Sequence, residues 1–368
     1  MRITFVSPPM NNTGGHRVLV RYADGLTRLG HEVRIVTPAL PAPPSIATRL
    51  RARLRGRRLH DPRKDRIFTP QDARTRLLVL DEHRPVEDRD VPEGDVVVAT
   101  WWETSPCVAR LSASKGAKAY FMQDYGAPGQ ELRDLIPTWS LPLHLITISR
   151  WCAELIREHV GDVPVSLVPN AVDAELFAVP PRHKPERPTV GFVHRISPMK
   201  GWDIVKEAVQ LARRSIPELR LLVFGPEHPD TVERPAGSME YVHRPPDEQL
   251  PQLYGQCTAW LFASRREGFG LPLLEAMACR TPVIATPAGA APELLAGGGG
   301  WLVEPESASD LARAIVEVCR LPEEAWLAAS AAAQRTATSY TLDDSIRRFE
   351  RALEEAIERS RSRALRSA

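Results

Sequence analysis

Long apolar runs are missing from this sequence. No stretch approaches the roughly 18 consecutive apolar residues that a membrane-spanning helix needs, although 43% of the residues are hydrophobic. Any membrane contact is therefore expected to be peripheral. Cysteine is scarce as well. Cys107, Cys152, Cys257, Cys279 and Cys319 are five in number and widely scattered. No pair has zinc or redox spacing, so they read as free thiols of a reducing, cytoplasmic compartment. An excess of either charge is absent too, with 48 basic against 46 acidic residues and a formal net charge of +2. That balance makes no global case for nucleic acid as a partner. His16, His83, His144 and His243 have no Glu or Cys at metal-ligand spacing, and no metal site is expected. The GxGxxG fingerprint and the Walker lysine are both lacking, which argues against NAD and ATP sites. The opening Met1-to-Val6 stretch is short and followed by Pro8 and Pro9. It reads as a strand and not as a signal peptide.

What is present is an α/β pattern that runs twice through 368 residues, enough for two domains of ordinary size. Residues 2–6 form a short apolar strand, and a loop from Pro8 to Gly15 follows. Val18, Leu19, Tyr22, Leu26 and Leu29 then recur at helical spacing up to Gly30, placed as a C-cap glycine. Val33, Ile35 and Val36 give a second strand, so the chain opens as a doubly wound domain. Further strands are expected at 76–80, 95–100, 117–122, 144–148 and 165–168. Pro180, Pro181, Pro185 and Pro188, mixed with charges, mark a linker over 180–188 between a first domain at 1–179 and a second at 189–340. The pattern restarts with strands expected at 190–194 and 219–224, separated by a helix from about Trp202 to Arg214. More strands fit at 239–242, 258–262, 282–285 and 301–303. In the tail, 341–368, Leu342, Ile346, Phe349, Leu353 and Ile357 share one helical face, with Asp343 and Asp344 in the first turn. This reads as a packing helix that returns to the first domain.

Three constellations carry chemistry. In Arg266-to-Ala278, Glu267 and Glu275 stand eight positions apart, one in a glycine-rich turn and one a turn into the next helix. Gly268 and Gly270 let backbone approach a ligand, Pro272 suits a helix start, and helix N–H groups make an anion site. Two carboxylates there can hold hydroxyls of a sugar and a ribose. The plainer alternative is a charged loop with a helix-start carboxylate. In the second piece, Arg195 and Lys200 flank a proline turn after the strand that opens the second half. That is the end of a parallel strand where doubly wound sheets bind ligands, and two cations there can neutralise a departing diphosphate. They could also be two surface cations beside a turn. In the third, Gly14-Gly15 precede the first helix, and their N–H groups could reach a phosphate across the cleft. A tight turn explains that pair equally well.

Taken in order, Gly14-Gly15, Gly30-His31-Glu32-Val33, Val168-to-Asp173, Arg195 with Lys200-Gly201, Phe224-Gly225 and Glu267-to-Ala278 resemble the retaining glycosyltransferases of family 4. The resemblance implies the GT-B architecture, α/β with two Rossmann-like doubly wound domains facing across a cleft. It implies that Gly15 donates to the distal phosphate, that Arg195 and Lys200 clamp the diphosphate, and that Glu267 holds the donor sugar. Backbone at Gly268, Phe269, Gly270 and Leu271 would line sugar and phosphate, Glu275 would bind the ribose, and backbone at Tyr241 and Val242 would frame the base. The co-substrate would be a nucleotide-diphosphate sugar, uridine or thymidine first, with no cofactor and no catalytic metal. The family commonly has a histidine at the end of a first-domain strand, where this chain has Gln123. The run Tyr120-to-Tyr125, with Trp101-Trp102 upstream, resembles a rhamnosyltransferase-like branch. Gln123, Asp124 and Trp102 are accordingly candidates for the acceptor or sugar side.

Asp88-Arg89-Asp90 spells the metal-diphosphate motif of another glycosyltransferase class, but its polar, proline-flanked setting favours coincidence. Gly297 to Gly300 reads as a flexible loop. Nine cations between Arg49 and Arg66, with Leu50, Leu54 and Leu59, could form an amphipathic segment for an anionic membrane surface or could be a solvated loop. The competing functions are a sugar-nucleotide 2-epimerase, a phosphorylase, and a non-catalytic nucleotide-sugar-binding protein.

Overall fold

The computed structural model describes residues 1–11, 13–43, 45, 47, 48, 51, 67–123 and 132–367. The strands are β1 (Arg2–Val6), β2 (Glu32–Thr37), β3 (Arg76–Val79), β4 (Val96–Ala99), β5 (Ala117–Met122), β6 (His144–Thr147) and β7 (Val165–Leu167), then β8 (Thr189–Val193), β9 (Arg220–Gly225), β10 (Met239–His243), β11 (Ala259–Phe262), β12 (Val283–Ala285) and β13 (Gly300–Leu302). The helices of the first half are α1 (Gly14–Arg28), α2 (Ser105–Arg110), α3 (Leu132–Trp139) and α4 (Arg150–Val160). In the second half they are α5 (Trp202–Arg213), α6 (Leu250–Gly255), α7 (Leu271–Ala278), α8 (Ala291–Leu295), α9 (Ala308–Arg320), α10 (Glu323–Thr338) and α11 (Leu342–Ser367).

Two parallel sheets result, ordered β3-β2-β1-β4-β5-β6-β7 and β10-β9-β8-β11-β12-β13. Each sheet reverses direction of growth beside its first strand, between β1 and β4 and between β8 and β11. Those are the topological switch points at which such sheets bind ligands, beyond the carboxyl ends of their strands. The central strands read as continuous apolar runs because both faces are covered: Val96, Val97, Val98 and Ala99 are all fully buried. The two α/β sheets face each other across a cleft, the GT-B arrangement. Among the described residues, no helix is long and apolar enough to cross a membrane.

The first helix begins at Gly14, so the glycine pair lies in its first turn and not in the preceding loop. Thr13 is the extended N-cap residue but makes no side-chain cap. Gly30 sits at φ 92°, in the left-handed region just past the helix end that the C-cap pattern asks for. The segment from Pro180 to Pro188 is bolted to the second sheet's helices. Arg182 donates to the Cys257 carbonyl at 3.0 Å and Thr281 Oγ1 at 2.8 Å, and lies 4.8 Å over the Trp326 ring. Lys184 Nζ donates to the Cys319 and Leu321 carbonyls at the end of α9, a favourable place for a cation. Gly299 is no free loop residue, because a Cβ there would lie 2.4 Å from the Ala333 backbone nitrogen. The glycines let α10 lie directly on the turn before β13.

Helix α11 packs against β5 and α1 of the first sheet. Phe349 is its anchor, fully buried, with ring centroids 5.9 Å from Phe5, 5.0 Å from Tyr22 and 4.9 Å from Phe121. Gly25 of α1 makes room for Ile346, since a Cβ at that position would lie 2.1 Å from the Ile346 side chain. Phe349→Ala is expected to destabilise the protein by about 3–5 kcal/mol, through lost transfer energy and an unfilled cavity. Urea unfolding followed by circular dichroism measures it; a change within experimental error would show that α11 does not stabilise the first domain.

Candidate active site in the interdomain cleft

The loop after β8 is shaped by a close approach. The turn Pro198–Lys200 ends at Gly201, where φ is 72° and a Cβ would lie 2.1 Å from the Ala263 carbonyl oxygen. Only glycine lets the turn rest on the end of β11. Arg265 then ties the two segments together. Its N–H donates to the Met199 carbonyl at 2.8 Å, and its guanidinium donates to the Pro198 carbonyl at 2.6 Å. The same guanidinium forks onto Asp203 at 2.9 and 2.7 Å and also reaches Glu306. With the turn so fixed, Lys200 Nζ donates to Glu267 Oε2, and Ser264 Oγ lies 3.4 Å from the same oxygen. Two residues 67 apart in sequence thus form one half-buried ion pair at the cleft.

Arg195 stands at the mouth of the same loop. Its surface is open to solvent, yet the cleft walls desolvate the guanidinium and lower its pKa, against the attraction of Glu227 and Tyr241. It remains a cation at neutral pH. Behind it, His194 Nδ1 lies 3.1 Å from Glu227 Oε2, and the Ile196 N–H donates to Glu227 Oε1 at 2.7 Å. Burial pushes Glu227 up, but these bonds outweigh it and hold the carboxyl below its ordinary value. The Tyr241 hydroxyl donates to the Glu227 carbonyl at 2.9 Å. Tyr241 and Val242 lie on β10, an edge strand paired only with β9. Glu227 and Arg265 hold the loops of the candidate site, and sequence reasoning missed both. The available signal was an acid just past Gly225 at the end of β9, and an arginine two residues before Glu267.

Helix α7 is preceded by the N-cap residue Gly270, whose φ of 105° is left-handed and which supplies no side-chain cap. A Cβ there would meet the Phe262 ring at 2.9 Å. The Phe269 side chain is buried against Tyr340, so only its backbone can meet a ligand. The Gly268 carbonyl is already engaged, accepting from Ser149 Oγ of the first domain at 2.8 Å. Across the cleft α1 also begins without a side-chain cap, because Thr13 Oγ1 bonds His16 Nδ1 instead at 2.9 Å. Uncapped helix starts leave N–H groups for an anion. Glu275, one turn into α7, accepts from the Tyr254 hydroxyl at 2.7 Å, and its other oxygen lies 3.9 Å from Arg17 Nη1 of α1. Burial raises the Glu275 pKa, while Tyr254 and Arg17 oppose the rise.

The structure therefore brings Arg195, Lys200, Glu267, Gly268, Gly270, Leu271 and Glu275 onto one side of the cleft, with Gly15 on the other. Gln123 ends β5 beside Gly15, about 3.8 Å from where a Gly15 Cβ would stand. Its buried Oε1 has no hydrogen-bond partner among the described residues. Asp124 lies outside the described residues. Trp102 is half-buried against the apolar cluster of the first domain, a packing position. The Asp88–Asp90 motif is spent on structure: Asp88 accepts from Ser112, and Asp90 pairs with Arg84. Among the described residues, no group of three or more His, Cys, Asp or Glu could hold a metal ion.

Two parallel α/β domains with their strand ends facing one charged cleft define the GT-B fold. The chain is related to the family 4 and group 1 glycosyltransferases. A model described as Glycosyltransferase Family 4 matches residues 12–176, and one described as Glycosyl transferases group 1 matches residues 174–335. The chain is 31% identical over 208 residues to a D-inositol 3-phosphate glycosyltransferase of Stackebrandtia nassauensis, covering 49% of this chain and 47% of that protein. It is 29% identical over 306 residues to an MMP alpha-(1->4)-mannosyltransferase of Mycolicibacterium hassiacum, covering 78% and 69%. The chain spans about half the length of D-inositol 3-phosphate glycosyltransferases it matches, 47% and 44% for two of them. The crystal structure of Anabaena HepE in complex with UDP and glucose superposes with a TM-score of 0.71 at 18% identity, over 96% of this chain and 100% of that one. At that identity the likeness concerns the fold.

His16, in the first turn of α1, is buried between Ser7 and Thr13, and burial lowers its pKa to about 4 from 6.5. The unfolded chain takes up this proton first, so the contribution to stability is complete above about pH 6.5 and is lost as pH falls toward 4. The loss is on the order of 3 kcal/mol for a shift of that size. A His16→Gln variant is expected to flatten the fall in urea midpoint over that range; an unchanged profile would remove His16 as its source. Gly201→Ala is expected to cost about 1–3 kcal/mol of stability and to displace Lys200 from Glu267. Urea unfolding and a crystal structure of the variant check both.

Proposed function

We propose that this chain is a retaining glycosyltransferase that moves a hexose-type sugar from a nucleoside-diphosphate donor to a hydroxyl of a glycan, lipid-linked or natural-product acceptor. The observation that carries the reading is the placement of two cations, two carboxylates and an uncapped helix start on one wall of the cleft. Arg195 and Lys200 take the diphosphate, helped by the N–H groups of α7 and, from the other wall, Gly15. Glu267 holds the donor sugar's hydroxyls, Glu275 the ribose, and the Tyr241–Val242 backbone the base. As the C1–oxygen bond to the diphosphate breaks, the anomeric carbon gains oxocarbenium character and negative charge grows on the leaving oxygen. Fixed cations and amide dipoles stabilise that charge without reorganising. The acceptor oxygen bonds to C1 on the same face, and its proton passes to the departing phosphate oxygen. No dedicated general base is then needed. Residues 1–179 form the acceptor-side unit and 189–340 the donor-side unit, with 180–188 between them and 341–368 returning to the first.

Uridine and thymidine donors are the first candidates, and transfer proceeds without a metal. The protein works in the cytoplasm. A peripheral contact with anionic membrane rests on the basic segment, of which residues 49, 50 and 52–66 lie outside the described residues. A rhamnosyltransferase-like branch is the finer reading suggested by Gln123 and the aromatic run around it, tested by turnover of a nucleotide-rhamnose donor against nucleotide-hexoses.

Glu267→Ala and Lys200→Ala are each expected to cut transfer at least tenfold in a folded protein, and Glu275→Ala to act mainly on nucleotide affinity. Donor turnover with a panel of acceptors measures this, after a thermal-shift screen of nucleoside diphosphates selects the donor. Wild-type rates in both of the first two variants would reject their roles. Abolition of transfer by EDTA would reject metal independence. Interconversion of the free donor without acceptor would instead identify a 2-epimerase.

A further inference from the structure

Arg17 is a cation of the first domain that none of the assigned roles uses, yet it points into the nucleotide half of the cleft. It lies two residues beyond Gly15 in α1, with its guanidinium 5.1 Å over the Phe68 ring. Its Nη2 donates to Asp247 Oδ1 at 2.7 Å, and its Nη1 is 3.9 Å from Glu275 Oε1. Its buried Nε has no hydrogen-bond partner among the described residues. Glu275 Oε2 is taken by Tyr254, which leaves Oε1 as the free oxygen.

The 3.9 Å separation is too long for a direct hydrogen bond. It matches two groups that share one oxygen placed about 2.8 Å from each. A guanidinium only donates and a carboxylate only accepts, so the shared atom must do both, as a hydroxyl does. A small cavity lies at this place, lined by Arg17, Glu275, Leu271 and Asn170 among others, with a volume of about 10 Å³, close to the lower limit for one water-sized oxygen. Asn170 is only 3% exposed, and its Oδ1 is also unpartnered among the described residues. Arg17, Glu275 and Asn170 therefore all line room for one hydroxyl.

We propose that Arg17 is a substrate-binding residue, which together with Glu275 clamps one hydroxyl of the donor's ribose. The inference rests on the assignment of Glu275 to the ribose. It adds a contact from the opposite domain, so the ribose becomes a second point, beside the diphosphate, at which both domains grip the donor. Removing that hydroxyl leaves a buried donor and a buried acceptor unpaired, which makes the site selective for donors that carry it.

The test uses the full chain and isothermal titration calorimetry. The probes are whichever of UDP, GDP and ADP the wild type binds most tightly, and its 2′-deoxy and 3′-deoxy analogues. Wild-type affinity is expected to fall at least tenfold for one of the two analogues. Arg17→Gln is expected to weaken the parent nucleotide at least fivefold and to lose no further affinity for that same analogue, since the contact is already gone. Arg17→Lys, which keeps the charge opposite Asp247, serves as the second variant if the first unfolds, with the same expectation. Asp247→Asn removes the interdomain ion pair alone and should keep the discrimination. Additive losses for Arg17 with both hydroxyls, or tighter nucleotide binding by the Arg17 variants, would overturn the clamp. Failure of the wild type to bind any nucleoside diphosphate would overturn the proposed function along with it.

Discussion

Arg17 of the first domain reaches two acids of the second, Asp247 and Glu275, and this bridge sits where the carboxyl ends of both sheets converge. Charge held between two apolar bodies constrains most of what surrounds it. An exposed ion pair contributes little, but a partly desolvated one must be matched, because an uncompensated charge there is costly. Arg21 with Asp173 at 3.0 Å, and Tyr254 with Glu275, extend the matching on either side. Below these charges the contact turns apolar: Phe177 of the crossing segment meets the Tyr254 ring edge-on at 6.0 Å. Orientation is set by the polar contacts, and attraction by the apolar ones.

The cleft itself is built from backbone exceptions. Gly201 and Gly270 occupy left-handed conformations against Ala263 and Phe262, and each puts a functional group where a side chain on the glycine would forbid it. Gly201 sends Lys200 to Glu267, and Gly270 opens α7 toward the ligand. Arg265, locked onto Asp203 and Glu306, holds the first of these turns in place. Glu227 does the equivalent for Arg195 by gripping the Ile196 N–H. The cations proposed to take a diphosphate would otherwise spread over many rotamers, and preorganised cations are the ones that stabilise developing charge.

Much of this architecture was legible in order of appearance. The strand pattern identified every strand of both sheets within a residue or two, most readily the central ones, because buried parallel strands are apolar on both faces. Helices fared less well. Arg150–Val160 and Glu323–Thr338 give no clear sequence signal, since the first is rich in charge and the second is largely alanine, with little contrast between its faces. The Gly14-Gly15 pair reads as loop but opens α1: glycine is a loop signal, yet the first turn of a helix has unpaired N–H groups anyway. Gly297 to Gly300 misled for the opposite reason, since there glycine serves close packing. Trp102, a candidate for stacking on a sugar, is half-buried against the first-domain core.

What the sequence by itself determined were the doubly wound halves, the eight-residue spacing of Glu267 and Glu275, and the glycine turns ahead of the charged positions. These depend on local periodicity and on which residues tolerate unusual backbone. Only the tertiary structure decided which charges meet. Lys200 with Glu267, Arg17 with Asp247 and Glu275, and Glu227 with the Arg195 loop join positions that are 67, 230, 258 and about 32 residues apart. Such pairings follow from how two sheets dock and where a returning helix anchors, and no local pattern in a single chain encodes a partner at that distance.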